Sequence, residues 1–220
     1  MKNQCSALHD LVRIKVRLGF PFDPGSIPAN GIYLLFEKGE KGHGGDRIVR
    51  VGTHRGDENL FSRLREHFLV ENKDRSIFRK NIGRALLAKD DDPFLLQWEY
   101  DLTSRKGKSA NAGKVNPRKK DATEQRVTRY IQDRFSFVII PVGPGTKARL
   151  AFEERLISTI SLCEECKASK GWLGHYSPVD RIRKSGMWNY QGLWKAPISP
   201  ADLSRVFSDK LTLSMPVAGR

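Results

Sequence analysis

Between Gly31 and Gly52 the chain reads GIYLLFEKGEKGHGGDRIVRVG, a stretch that leaves little freedom of fold. GIYLLFE (31–37) is an unbroken apolar run rich in β-branched and aromatic residues, and it reads as a buried strand. EKGEKGHGGD (37–46) is too rich in glycine for a helix and reads as a turn. RIVRVG (47–52) sets Ile48, Val49 and Val51 among arginines and reads as the returning strand. The pair is expected to form an antiparallel hairpin.

The rest of the chain reads mostly as helices around that hairpin. Residues 5–18 carry Leu8, Leu11 and Val12 at the spacing of a short helix, and GFPFDPGSIPAN (19–30) follows as a connector. In DENLFSRLREHFLVEN (57–72), Asp57 or Asn59 can cap a helix whose stripe is Leu60, Leu64 and Phe68. Ser76 starts a second helix through SIFRKNIGRALLAK. PFLLQWEYDL (93–102) reads as a strand, DATEQRVTRYIQDRF (121–135) as a helix and FSFVIIPVG (135–143) as a buried strand. TKARLAFEERLISTISLCEE (146–165) is a long amphipathic helix with Leu150, Phe152, Leu156 and Ile157. The tail from Cys166, with Trp172, Trp188 and Trp194, reads as irregular but packed. The expected class is α/β of the α+β type, a small central antiparallel sheet flanked by helices. The expected division is an N-terminal helix and connector (1–30), a main domain (31–195) with a basic insertion (104–120), and a C-terminal tail (196–220).

Composition bounds the function. A hydrophobic fraction of 39% supports a real core. No apolar run approaches the ~20 residues that span a bilayer, and the N-terminus does not read as a secretory signal, so no membrane partner is expected. The formal net charge is +14, which points to an anionic polymer such as nucleic acid. The charge is clustered: SRKGKSANAGKVNPRKK (104–120) holds seven Lys/Arg and no acid. It reads as a mobile basic loop in which Arg105, Lys106, Lys108, Arg118, Lys119 and Lys120 contact phosphates without reading sequence. Arg79, Lys80 and Arg84 read as a second phosphate-tracking face, or else as a solvated helix side. RIRK (181–184) is a further basic cluster. Trp172, Trp188 and Tyr190 are candidates for base stacking, although packing is the commoner fate of such residues.

Three cysteines, Cys5, Cys163 and Cys166, do not make a disulfide framework and suit a reducing cytoplasm, that of a bacterium or its nucleoid. The CEEC spacing of Cys163 and Cys166 is half a zinc site, which Cys5 and His175 are available to complete. The plainer reading is two thiols three apart at a helix end.

The order of hairpin, arginine-bearing helix, further helices, strand and glutamate-bearing helix resembles the GIY-YIG nuclease superfamily. Gly31-Ile32-Tyr33 matches its first signature, while Arg50-Val51-Gly52 stands at the second and keeps only the glycine. Arg63 in LFSRLREHF matches the family's helical arginine, with His67 one turn later, Glu153 in AFEERLI matches its glutamate, and Asn189 in MWNYQG its late asparagine. The resemblance implies a metal-dependent DNA endonuclease that leaves 5′-phosphate and 3′-hydroxyl ends, of a restriction, repair or mobile-element kind. RNA is the alternative substrate, and a binding module with a decayed site the alternative class.

The same resemblance assigns roles. Tyr33 receives the proton of the attacking water, Arg63 binds the non-bridging phosphate oxygens, and Glu153 holds one Mg²⁺ or Mn²⁺. A phenol is a poor base near neutral pH without help. Arg50 carries a permanent charge and accepts no proton, so it replaces a tyrosine with a phosphate binder at most. His67, and after it His54, is the candidate for the missing proton relay. Tyr33, Arg63, His67 and Glu153 are expected to converge on one concave surface.

Overall fold

The computed structural model describes residues 3–207. Four strands form one sheet: β1 (Leu18–Gly19), β2 (Gly31–Gly42), β3 (Gly45–Gly52) and β4 (Phe135–Pro141). Their order is β1-β4-β2-β3, and every neighbouring pair is antiparallel. The expected hairpin is β2–β3. Nine α-helices accompany the sheet among the described residues: α1 (Gln4–Arg13), α2 (Leu60–Phe68), α3 (Ile77–Lys89), α4 (Leu95–Trp98), α5 (Arg105–Asn111), α6 (Pro117–Arg134), α7 (Thr146–Ser161), α8 (Asp180–Ser185) and α9 (Pro200–Phe207). None is long and apolar enough to cross a membrane. The expected tail, 196–220, lies outside the described residues from 208 onward.

β2 is buried on both faces because strands flank it and helices cover it. Ile32, Leu34 and Phe36 join Ile48, Val51, Val138 and Ile140 in a layer shared with α1 and α7. Tyr33, Leu35, Val49 and Phe137 face the opposite layer, with Leu60, Phe78, Ile82 and Val127 of α2, α3 and α6. This double burial explains why GIYLLFE is continuous rather than alternating. In the hairpin, Leu35 pairs with Arg50 but Phe36 pairs with Ile48, so Val49 is an extra residue. Such a bulge turns side chains that strict alternation would send elsewhere. Here Arg50 lies with its guanidinium 5.2 Å from the centre of the Phe78 ring, on the α3 side.

The outer edge of β3 is covered by residues 187–189. Trp188 N–H donates to Val49 O at 2.7 Å, and the Asn189 amide brackets Val51, accepting from its N–H at 3.0 Å and donating to its carbonyl at 2.8 Å. Trp172 and Trp188 both donate their indole N–H to Glu37 Oε2, each at 2.9 Å. These tryptophans are buried in the core and present no face to a base.

Three expectations are corrected. The first is the strand over 93–102, which is a single helical turn, α4. β2 already has a partner on each side, and Trp98 instead lays its ring over Gly83, where a Cβ would fall 2.5 Å from the indole. The second is the mobile loop over 104–120, which is helix α5 and the start of α6. Ser104 caps α5 through Gly107 N–H at 3.0 Å, and Asn116 caps α6 through Lys119 N–H at 3.1 Å with Pro117 at the first helical position. Cap signals, not apolar periodicity, define these helices. The segment's cations remain on the surface, except that Lys120 is half-buried. The third is Asp57 or Asn59 as the side-chain cap of α2. Asn59 occupies the cap position without a side-chain cap bond, and Asp57 accepts from Arg149.

Arg79 is also not a phosphate-tracking residue. It is fully buried and donates to Glu124 Oε2 at 2.7 Å, to His67 O at 3.1 Å and to Thr128 Oγ1 at 2.8 Å. Lys80 and Arg84, on the same helix, pair with Glu99 at 3.5 and 2.5 Å. The buried acid on α6 draws Arg79 inward, which spacing along α3 alone does not reveal. Removing one partner of a buried pair strands the other's charge. Arg79→Ala is therefore expected to destabilise the fold by about 3–5 kcal/mol, read by urea unfolding, whereas Arg79→Met combined with Glu124→Leu should recover much of that loss.

Candidate active site

A cleft of about 710 Å³ opens where β3 ends, between α2 and α7. Arg50, His54, Arg63, Glu153 and Asn189 line it, so residues far apart in sequence meet there. Tyr33 and His67 are not on its wall; both are fully buried.

Tyr33 stands opposite Gly52 in the β2–β3 register. A Cβ on Gly52 would fall 2.2 Å from the Tyr33 hydroxyl, so the phenol occupies the space that only glycine leaves. The hydroxyl lies 2.7 Å from His67 Nε2, and His67 Nδ1 lies 2.7 Å from Ser76 Oγ. Ser76 also accepts Arg79 N–H at 3.2 Å as the cap of α3. One histidine thus links β2, α2 and α3. Burial pushes the His67 imidazole well below the ordinary histidine range, and the charges of Arg63, Arg50 and Arg79 add to that. The ring is neutral.

Arg63 donates to Glu66 Oε2 at 2.8 Å and to Arg75 O at 2.9 Å. Burial works against its charge, but the neighbouring Tyr33 and Glu66 hold its pKa above the ordinary arginine value. Arg50 is held by one bond, from Nη1 to Trp188 O at 2.9 Å. Its buried Nε has no hydrogen-bond partner among the described residues. Arg50 lines the cleft, and a guanidinium held by a single hydrogen bond has donors left for an oxyanion.

α7 brings Glu153 to the same cleft from the other side of the sheet. Arg149, one turn earlier, is buried and donates to Asp57 Oδ1 at 2.8 Å and to Gly56 O, which fastens α7 to the segment after β3. Burial pushes the Glu153 carboxyl up; Arg50, Thr53 N–H and Arg63 pull it down, without cancelling the burial. Glu66 and Glu154, also on the cleft wall, are paired with Arg63 and Lys195. Among the described residues, Glu153 has no such ion pair within 4.0 Å. A lone half-buried carboxyl in a polar cleft fits one hard divalent cation that keeps most of its waters.

His54 Nε2 accepts Gly31 N–H at 3.4 Å; burial and Arg149 push its imidazole down. The Asn189 amide is spent on β3, so this residue shapes the cleft by holding the strand. Arg149, Ser76 and Glu124 are not legible in the sequence as site residues. The cap position of Ser76 is visible there, but its bond to His67 is not.

A domain model described as GIY-YIG domain matches residues 8–208. The chain belongs to the GIY-YIG family. The match begins within α1 and covers nearly all of the described chain, beyond the motif-bearing stretch. This family is one of nucleases, which makes nucleic acid the substrate class of this GIY-YIG protein. Searches of curated proteins and of solved structures found no match.

Because His67 and His54 bind protons less readily folded than unfolded, the unfolded chain takes up more protons as pH falls. Their stabilisation is complete above the ordinary histidine value and is lost on acidification below it. Unfolding free energy is expected to fall below about pH 6.5, by up to ~1.4 kcal/mol per pH unit for each histidine. His67→Gln should remove one histidine's share of that slope in urea titrations at several pH values.

Proposed function

We propose that this protein is a metal-dependent DNA endonuclease that hydrolyses a phosphodiester in the β3 cleft. The observation that carries the reading is the convergence of two guanidinium groups, Arg50 and Arg63, and one unpaired carboxyl, Glu153, on a single cleft with Tyr33–His67 directly behind it. Arg50 and Arg63 bind the non-bridging oxygens, where negative charge grows. Glu153 holds Mg²⁺ or Mn²⁺, which when bound supplies Lewis-acid stabilisation of the departing oxygen.

The remaining roles concern a proton. Ser76 Oγ has two lone pairs, which accept Arg79 N–H and His67 Nδ1–H. With this tautomer, His67 Nε2 accepts from the Tyr33 hydroxyl. Phosphate takes Arg63 from its bonds to Glu66 and Arg75, and the mechanism requires that substrate binding also opens access to the buried Tyr33 hydroxyl. The attacking water then gives its proton to the phenol oxygen as the phenol proton passes to His67. The anionic substrate offsets the arginine charges, which add to the effect of burial in keeping the imidazole neutral. Phosphorus gains the hydroxide oxygen and releases the 3′-oxygen, which takes a proton from solvent water to become the hydroxyl and leaves a 5′-phosphate; the proton held by His67 returns to solvent after product release. Restriction and repair in a bacterial cytoplasm both suit this chemistry.

A second reading is supported by two observations: Arg50 replaces the second tyrosine, and the Tyr33 hydroxyl is buried. In that reading the cleft binds nucleic acid without cutting. Supercoiled plasmid, and structured RNA in parallel, incubated with Mg²⁺ separate the readings. Nicking of plasmid that Glu153→Gln abolishes is the expected result; equal backgrounds in both proteins favour binding alone, and cleavage of RNA only shifts the substrate.

Glu153→Gln also has an expected structural signature. The Glu153 pKa is raised in the fold, so the folded state binds this proton more tightly. Stability is therefore lost as pH rises through the window above the ordinary glutamate value, and the ionised carboxylate is a liability at neutral pH. Without divalent ion, Glu153→Gln should melt higher than the wild type at pH 8, and the gain should vanish in acid.

The chain leading into the basic insertion is tied near the cleft, since Leu102 N–H donates to Asp74 Oδ2 at 2.9 Å and Asp74 lines the cleft. α5 has no buried residue. Replacing Arg105, Lys106 and Lys108 by glutamine is expected to weaken binding to all DNA sequences alike. It should also flatten the salt dependence by about 0.9 log unit for each phosphate that is no longer neutralised. Fluorescence anisotropy over a range of salt measures both.

A further inference from the structure

At the far end of the hairpin from the cleft, four side chains from three separate stretches of chain point at one another. Cys5 and His9 lie one turn apart on α1, His43 sits in the β2–β3 turn, and Cys166 follows α7. Their ligand atoms, two sulfurs and two ring nitrogens, all lie within 4.8 Å of one another. Cys166 Sγ is 3.7 Å from His9 Nε2, Cys5 Sγ is 3.6 Å from His9 Nδ1, and the two imidazole centres are 4.8 Å apart. Cys5, His9 and Cys166 are buried, and the His43 side chain is 3% exposed.

We propose that Cys5, His9, His43 and Cys166 bind one structural zinc ion. Two thiolates and two imidazoles are a familiar tetrahedral zinc set, and two thiolates neutralise the ion's charge, so the complex enters the core without net charge. The plain alternative is that buried thiols act as small hydrophobes. That accounts for the cysteines, which belong to the apolar layer around α1 and α7, but not for two imidazoles gathered at the same point.

The surroundings are those of a metal site. His9 Nδ1 lies 2.9 Å from Cys5 O, the backbone-carbonyl bond that fixes a ligating ring and leaves Nε2 for the ion. Nε2 now accepts Ile48 N–H at 3.2 Å and exchanges that bond for zinc. Arg13 donates to His43 O at 2.6 Å and holds the turn against α1. Cys163 lies beside the cluster, 3.3 Å from His43 Nε2, and is not one of the four ligands. His175, a sequence candidate for the fourth ligand, is elsewhere, with Nε2 2.8 Å from Ser169 O.

The ion would clamp α1, the hairpin turn and the chain leaving α7. From Tyr33 to the turn is nine residues of strand, roughly 30 Å at ~3.3 Å per residue, so this site is distinct from the nuclease cleft and stands whether or not the cleft cuts.

The test is metal analysis of protein purified without chelator. One zinc per chain is expected to survive dialysis in the wild type, Glu153→Gln, His175→Ala and Cys163→Ser. It is expected to be lost from Cys166→Ser and from His43→Ala, with a lower melting temperature. Cobalt should substitute for zinc and show thiolate-to-metal charge-transfer absorption. Because the ligand variants could unfold for other reasons, the wild type is also stripped by chelation in denaturant and refolded, and zinc alone should restore its melting temperature. Folded wild-type protein without zinc whose melting temperature ignores added zinc would overturn the proposal, as would a Cys5–Cys166 disulfide under non-reducing mass spectrometry. Release of the ion by Cys163→Ser would overturn the ligand set.

Discussion

The site is organised around a buried imidazole held from both sides. His67 meets the Tyr33 hydroxyl through one nitrogen and Ser76 through the other, each at 2.7 Å. That contact fixes the position of α2 on the sheet, and with it Arg63, one turn back on the same helix. It also requires a strand partner without a side chain, which Gly52 provides. A buried polar chain of this kind stabilises only when every member is satisfied. Here the capping bond of α3 and the carbonyl contact of Arg79 complete it.

Buried charge is the recurring building material around this column. Arg79 with Glu124 joins α3 to α6, Arg47 with Glu40 lies under the hairpin, and Arg149 with Asp57 fastens α7 beside the cleft. These cations are scaffold, whereas Arg50 and Arg63 face the cleft. A large positive net charge therefore has two origins in this molecule. Part serves internal geometry, and part, on α5 and the start of α6, remains at the surface.

Much of the fold is legible in the sequence because it depends on local pattern. The hairpin follows from an apolar run, a glycine-rich turn and a second run. The helices from Leu60, Ile77 and Thr146 follow from stripe and spacing. The stretch 93–102 reads wrongly as a strand because an apolar run does not disclose whether a sheet edge is available to it. Residues 104–120 read wrongly as a loop because charge and glycine mask the caps Ser104 and Asn116. The basic face assigned to Arg79 fails for a related reason: its partner, Glu124, lies 45 residues away on another helix.

The identity of the chemical groups was set by the sequence alone: a tyrosine in the first strand, an arginine and histidine one turn apart, a glutamate on a late helix, and a basic insertion. Their types and order are local properties that survive without coordinates. Tertiary structure alone decided which of them share a cleft, that Tyr33 and His67 lie behind its wall, and that Asn189 is committed to β3. It alone brought Cys5 and His9 to His43 and Cys166. Proximity between residues distant in sequence arises from packing and strand register, and composition or periodicity along one segment does not encode it.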